Sequence, residues 1–169
     1  MSNEIKNAAK NAPESLSAIH LYTEREDSKY AVTGLKNGVP ENITVPSCVT
    51  EIANFAFQGS NLDSVTFEEG TESIGEYAFI LSSVKEIKLP ATLKCIKNNA
   101  FENCYELQKI VLPDSLEEIG ENAFTGCDSL TEVVIPASVK KIDHCAFSLC
   151  SNLKAIYCEA EEQPEGCLI

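Results

Sequence analysis

Cys104, Cys127 and Cys150 recur 23 residues apart, each three residues after a phenylalanine. Thiols placed so regularly can do one of three things: pair as disulfides, hold a soft metal, or fill a small apolar position. Ser60 and Ser82 occupy the aligned slot of two earlier units once a one-residue deletion is allowed for. A slot that takes serine or cysteine wants a small side chain near the interior, so a reduced packing column is expected. Stacked neighbours would also lie within the Cα range for a disulfide, which leaves bridging open. Metal binding is disfavoured, because no C-x-x-C pair occurs and Cys48, Cys95, Cys145, Cys158 and Cys167 complete no zinc framework. A second constellation is Asp143-His144-Cys145, residue types that serve in thiol catalysis. Consecutive side chains point apart in a turn or strand, and the slot of His144 holds Asn54, Glu76, Asn98 and Glu121 in other units. A solvated histidine is the expectation. No phosphate loop, dinucleotide fingerprint or calcium loop is present. The chain therefore reads as a non-enzyme that needs no cofactor and no metal.

What positions these residues is an internal repeat. Isoleucines at 52, 74, 96, 119 and 142 mark five units, each followed by an Ala-Phe pair: Ala56-Phe57, Ala78-Phe79, Ala100-Phe101, Ala123-Phe124 and Ala146-Phe147. Further apolar columns follow in step, Leu62, Val84, Leu107, Leu130 and Leu153, then Val65, Ile87, Ile110, Val133 and Ile156. Proline opens four of the units, at Pro46, Pro90, Pro113 and Pro136. The division that follows is an N-terminal cap over 1–45, five repeats at 46–67, 68–89, 90–112, 113–135 and 136–158, and an acidic tail over 159–169.

Each unit has a physical reading. A segment such as Leu107–Ile110–Leu112 alternates at its end with a period of two, which predicts a short strand. Proline, lacking an N–H, ends it. The segments "IGENAF" and "IKNNAF" predict a turn into a short helical stretch that buries Ala and Phe, with the rings stacking as a column. Units this short bury too little alone and gain stability by stacking on neighbours. At roughly 4.8 Å per rung, five units give a strand face about 20–25 Å long. The fold class expected is an α/β repeat solenoid, with short parallel strands on one face and short helical or turn segments on the other. In the cap, "SNEIKNAAKN" predicts a short helix, and "SAIHLYTEREDSKYAVTGL" two strands around a polar turn at Glu26–Ser28.

Units such as "IPASVKKIDHCAFSLCSNLKAIYC" and "LPDSLEEIGENAFTGCDSLTEVVI" resemble the BspA-type leucine-rich repeats of bacterial and protist surface proteins. The resemblance covers 46–158 and extends to "YAVTGLKNGVPENITVPS". It implies a leucine-rich-repeat arc used for protein binding or cell adhesion, with no catalytic machinery. Ser115 and Ser138 stand where most leucine-rich repeats carry asparagine or cysteine after the strand, so the usual asparagine ladder is absent.

Charge narrows the partner. The formal net charge is −13 and Arg25 is the sole arginine, so nucleic acid and anionic membrane surfaces are disfavoured. No apolar run is long enough for membrane insertion. The opening "MSNEIKNAAKNAPES" lacks a secretory apolar core, which predicts a cytoplasmic protein, or a cell-surface or secreted one if an export signal precedes residue 1. A protein partner remains, and the strand face is where it would dock. Between the inward residues of each strand lies the outward column Thr66, Lys88, Val111, Val134 and Tyr157, which turns apolar toward the C-terminal rungs. These five are the candidate protein-binding residues. The alternative is a structural role, with weak self-association through the repeat ends.

Overall fold

The structure is a computed structural model that describes residues 19–22, 30–36, 38, 40–162 and 164–166. The helix expected near residues 2–13 and the turn at 26–28 lie outside the described residues. The chain forms short strands that fall into two lines. One line holds β1 (Ile19–Tyr22), β2 (Tyr30–Leu35), β4 (Val49–Ile52), β6 (Ser73–Ile74), β8 (Cys95–Ile96), β10 (Glu118–Ile119) and β12 (Lys141–Ile142), paired in that order as one sheet. The other holds β3 (Asn42–Val45), β5 (Ser64–Phe67), β7 (Glu86–Lys88) and β9 (Lys109–Ile110) as a four-stranded sheet, followed by β11 (Glu132–Ile135) and β13 (Ala155–Cys158) as a pair. All pairs are parallel except β1 with β2, the antiparallel edge that closes the N-terminal end. The whole is a parallel β-solenoid of about six turns.

Register follows the repeat. Ile52, Ile74, Ile96, Ile119 and Ile142 sit opposite one another rung after rung, and Ile43, Val65, Ile87 and Ile110 do the same in the second sheet. Both lines point these residues inward, where they are buried with the leucine and valine columns. Down the middle run the rings of Phe57, Phe79, Phe101, Phe124 and Phe147, with centroids 4.8, 5.0, 5.1 and 5.1 Å apart. That spacing is the rung spacing of a parallel sheet, so one phenylalanine per turn fills the core without a gap.

The helical segments do not form. Among the described residues there is no helix, and the Ala-Phe segments are linked turns. Two observations account for this. The residue before each Ala-Phe pair is left-handed, with φ of 62° at Phe55, 56° at Tyr77, 58° at Asn99, 53° at Asn122 and 59° at Cys145. A left-handed residue stops a right-handed helix from propagating. The amide hydrogens are also divided between two directions. Ala56 and Gln58 donate back to Ala53 and Phe55, whereas Phe55, Phe57 and Gly59 donate to Glu76, Ala78 and Ile80 on the next turn of the solenoid. Every later turn but the last repeats the pattern, as in Phe101 N–H to Ala123 O at 2.8 Å and Phe124 N–H to Ala146 O at 2.7 Å. Three strings of hydrogen bonds thus run the length of the array, all with N–H pointing toward its C-terminal end.

Among the described residues no further Ala-Phe turn stacks on the last one, and only the tail at Glu165 pairs beside β12. Phe147, Leu153 and Ile156 are only half-buried, although their counterparts Phe124, Leu130 and Val133 are fully buried. They line a cavity of about 450 Å³ with Ile142 and Ala146. The amides of Cys145, Phe147 and Leu149, which by register point outward, have no acceptor among the described residues.

Candidate protein-binding face

Strand alternation sets the outward column. In β11, Val133 and Ile135 are buried while Val134 between them is 46% exposed. Val134 pairs in register with Tyr157 on β13, which is 56% exposed. Val111 lies just past β9 and is 64% exposed. On the N-terminal rungs the same column holds Thr66, half-buried, and Lys88, exposed and in register with it. The structure therefore sets Thr66 beside Lys88 on one sheet and Val134 beside Tyr157 on the other, with Val111 at the junction. The junction itself was not legible in the sequence. Among the described residues no strand pairing joins β9 to β11, so two sheet edges face one another there. Between them is a groove of about 380 Å³ with Ile110, Val111, Leu112, Val134 and Pro136 on its walls.

A second set of exposed apolar side chains lies on the turn side. Phe55 is 51% exposed and stacks on Tyr77, ring centroids 5.0 Å apart and planes within 2°. Leu149 is 79% exposed and, like Leu81, has a left-handed backbone. Bulky side chains rarely accept that conformation. Asn99, Asn122, Gly59 and Gly126 in the same two columns suit it and were the available signal for these turns.

The cysteine column is closed. The thiols of Cys104, Cys127 and Cys150 donate to the carbonyls of Phe79, Phe101 and Phe124 at 3.0, 3.2 and 3.1 Å, each reaching back one turn. All cysteines among the described residues are free. In the two earlier turns Ser60 and Ser82 hydrogen bond to each other at 2.9 Å in the same place. Burial pushes the Cys104 thiol up to about 12 and that of Cys127 well above its ordinary value, the neighbouring thiols adding to the effect on Cys127. Since the thiolate is the nucleophile, iodoacetamide is expected to modify exposed Cys145 and Cys158 first, and Cys104 and Cys127 only after denaturation. Peptide mapping over a time course checks this; a Cys104 that reacts as fast as Cys158 would mean the column is open. His144 is exposed, and Asp143 is engaged by Lys141 at 2.8 Å.

The family model of the BspA type leucine rich repeat region matches six copies over residues 36–158. The chain belongs to the BspA-type leucine-rich repeat family. Among solved structures of this kind, it is similar to the leucine-rich repeat protein of T. pallidum, at 30% identity and a TM-score of 0.78, covering 86% of this chain and 70% of that one. A leucine-rich cell surface protein of Faecalibacterium prausnitzii matches at 25% identity and TM-score 0.54, over 92% of this chain and 57% of that one. The pneumococcal vaccine antigen PcpA shares the fold at 24% identity and TM-score 0.70, over 89% of this chain and 39% of that one. No curated protein matches the chain. Leucine-rich repeat proteins of this family are generally non-enzymatic. Hydroxyls link successive turns in this region: Thr92 donates to Thr71 O and Ser115 to Leu93 O, and Thr71, one slot along, donates to Val49 O. Ser138, next in the series, has a buried Oγ without a partner among the described residues.

Proposed function

We propose that this BspA-type repeat array is a non-catalytic protein-interaction module, and that its docking face is the outward column Thr66, Lys88, Val111, Val134 and Tyr157. The observation that carries the reading is the run of three exposed apolar side chains on successive rungs of a face whose flanking column, Ser64, Glu86, Lys109, Glu132 and Ala155, is largely polar. Exposed apolar side chains grouped on a rigid face are what a partner can desolvate. A bacterial cell-surface setting is supported by the name of the Faecalibacterium relative, a cell surface protein, and adhesion or host contact is the use proposed for the module there. The test is capture from an extract of the native organism by wild type and by the Val111→Glu/Val134→Glu/Tyr157→Glu variant, with the variant's fold checked by circular dichroism. A partner held by wild type and at least ~10-fold weaker on the variant is expected, since loss of hot-spot residues costs more than about 1.4 kcal/mol. Equal capture by both would remove this face from consideration.

A second reading, assembly through the repeat ends, is favoured by the open last turn. Phe147 offers one uncovered ring face, and the outward amides of Cys145, Phe147 and Leu149 need acceptors. Light scattering over a concentration series separates the two readings, because only the second makes mass depend on concentration.

A further inference from the structure

The groove between β9 and β11 has a charge as well as a shape. Its walls are apolar, but three carboxylates, Asp114, Glu132 and Glu159, border it against one ammonium, that of Lys109. None of the three carboxylates forms an ion pair among the described residues. Some acids elsewhere along the array are neutralised by lysines one turn away, as in Glu72 with Lys94 at 3.0 Å, Asp63 with Lys85 at 2.6 Å and Glu117 with Lys140 at 2.6 Å. The groove is thus a place where the backbone pairing lapses and three carboxylates without an ion pair gather around apolar walls.

We infer that this groove takes a peptide segment in which an aliphatic side chain is flanked by lysine or arginine. The inference rests on the protein-binding reading above and names the chemistry of the partner. The aliphatic group would displace water from Val111, Val134 and Pro136. Its basic neighbours would meet Glu132 on one edge and Asp114 and Glu159 around the rim. The two facing strand edges offer main-chain groups to an extended segment lying along them. An acidic partner is opposed by the same carboxylates, and a neutral one leaves them desolvated without compensation.

Fluorescence anisotropy with three labelled synthetic peptides of equal length tests this on the intact chain. The probes are an alternating lysine–leucine peptide, its lysine–serine counterpart, and its glutamate–leucine counterpart. The lysine–leucine peptide is expected to bind at least ~10-fold more tightly than either of the others, and to weaken several-fold between about 50 and 300 mM salt. The Asp114→Asn/Glu132→Gln/Glu159→Gln variant should lose ~10-fold in affinity for it. A matched variant elsewhere on the surface, Glu41→Gln/Glu69→Gln/Glu121→Gln, removes the same charge and should change it less than ~2-fold. Equal losses in the two variants, equal binding of the lysine–serine peptide, or no binding of the lysine–leucine peptide would each overturn the inference. Those results leave the capture experiment on Val111, Val134 and Tyr157 unaffected, so the chemistry of the partner can fail while the docking face stands.

Discussion

Replacing Phe101 with alanine is expected to remove about 3–5 kcal/mol of unfolding free energy, a large part of the roughly 5–15 kcal/mol that holds a domain of this size together. The ring is fully buried and stacked on both sides, 5.0 Å from Phe79 and 5.1 Å from Phe124 with planes within 16° and 6°. Its removal takes away apolar surface and leaves a void that the neighbouring rungs cannot close, because both sheets fix their separation. A solenoid adds a further consequence, since each turn is stabilised only by its neighbours. A hole in the central turn uncouples the units before it from those after it. Urea unfolding followed by circular dichroism should show an earlier midpoint and a broader, less cooperative transition. Phe147→Ala is the internal comparison, as that ring is half-buried and stacked on one side only. If the two substitutions cost the same, the continuous ring column is not what couples the turns.

Gly120→Ala is the second change expected to be felt strongly, although it adds a single methyl group. That methyl would sit 2.5 Å from Asn98 Oδ1, 2.6 Å from the Asn98 amide nitrogen and 2.7 Å from the carbonyl carbon of Lys97. Asn98 comes this close because its Oδ1 accepts the amide hydrogen of Glu121 at 3.0 Å, lashing one turn to the next. Asn54 does the same to Glu76 at 2.9 Å, and Gly75 stands beside it with the same lack of room. The asparagine of one turn thus occupies the space a side chain would need on the following turn. Overpacking costs about 1–3 kcal/mol, and displacing Asn98 forfeits a hydrogen bond of about 1 kcal/mol. A double-mutant cycle with Asn98→Ala resolves the two contributions. Partial recovery is expected, because trimming Asn98 relieves the contact with Oδ1 but not those with backbone atoms. Strict additivity would mean that the asparagine side chain is not the obstacle.

The repeat was legible because its columns are set by burial, which each unit meets separately. The Ala-Phe pairs, the inward isoleucines and the small Ser/Cys position all face the core. The strands β6, β8, β10 and β12 were not legible, since two residues cannot display alternation. The expected helical segments failed for a different reason. Asn99, Asn122, Gly59 and Gly126 announce left-handed turns, but Phe55, Tyr77, Leu81 and Leu149 in the same columns conceal them. There, the hydrogen bonds to the adjacent turn override local preference. On the candidate face, exposure of Val111, Val134 and Tyr157 follows from alternation alone, whereas the lapse in pairing between β9 and β11 is a property of two distant segments together.

The three strings of amide-to-carbonyl bonds on the Ala-Phe side leave outward donors on the last turn, which any further turn would have to accept. Peptide groups such as Ala56–Phe57, Ala78–Phe79 and Ala100–Phe101 lie head to tail there, whereas on the strand side Gly75, Lys97 and Gly120 donate the other way, to Ile52, Ile74 and Ile96. At the last turn the amides of Cys145, Phe147 and Leu149 emerge without an acceptor among the described residues. The segment that follows carries Glu159, Glu161, Glu162 and Glu165 without one basic residue. The carbonyl of Glu165 accepts the Ile142 amide at 2.9 Å, which holds this part of the tail against the terminal rung. Beside β12 the acidic tail thereby takes the place of a further rung, Glu165 pairing with Lys141 as Lys141 pairs with Glu118.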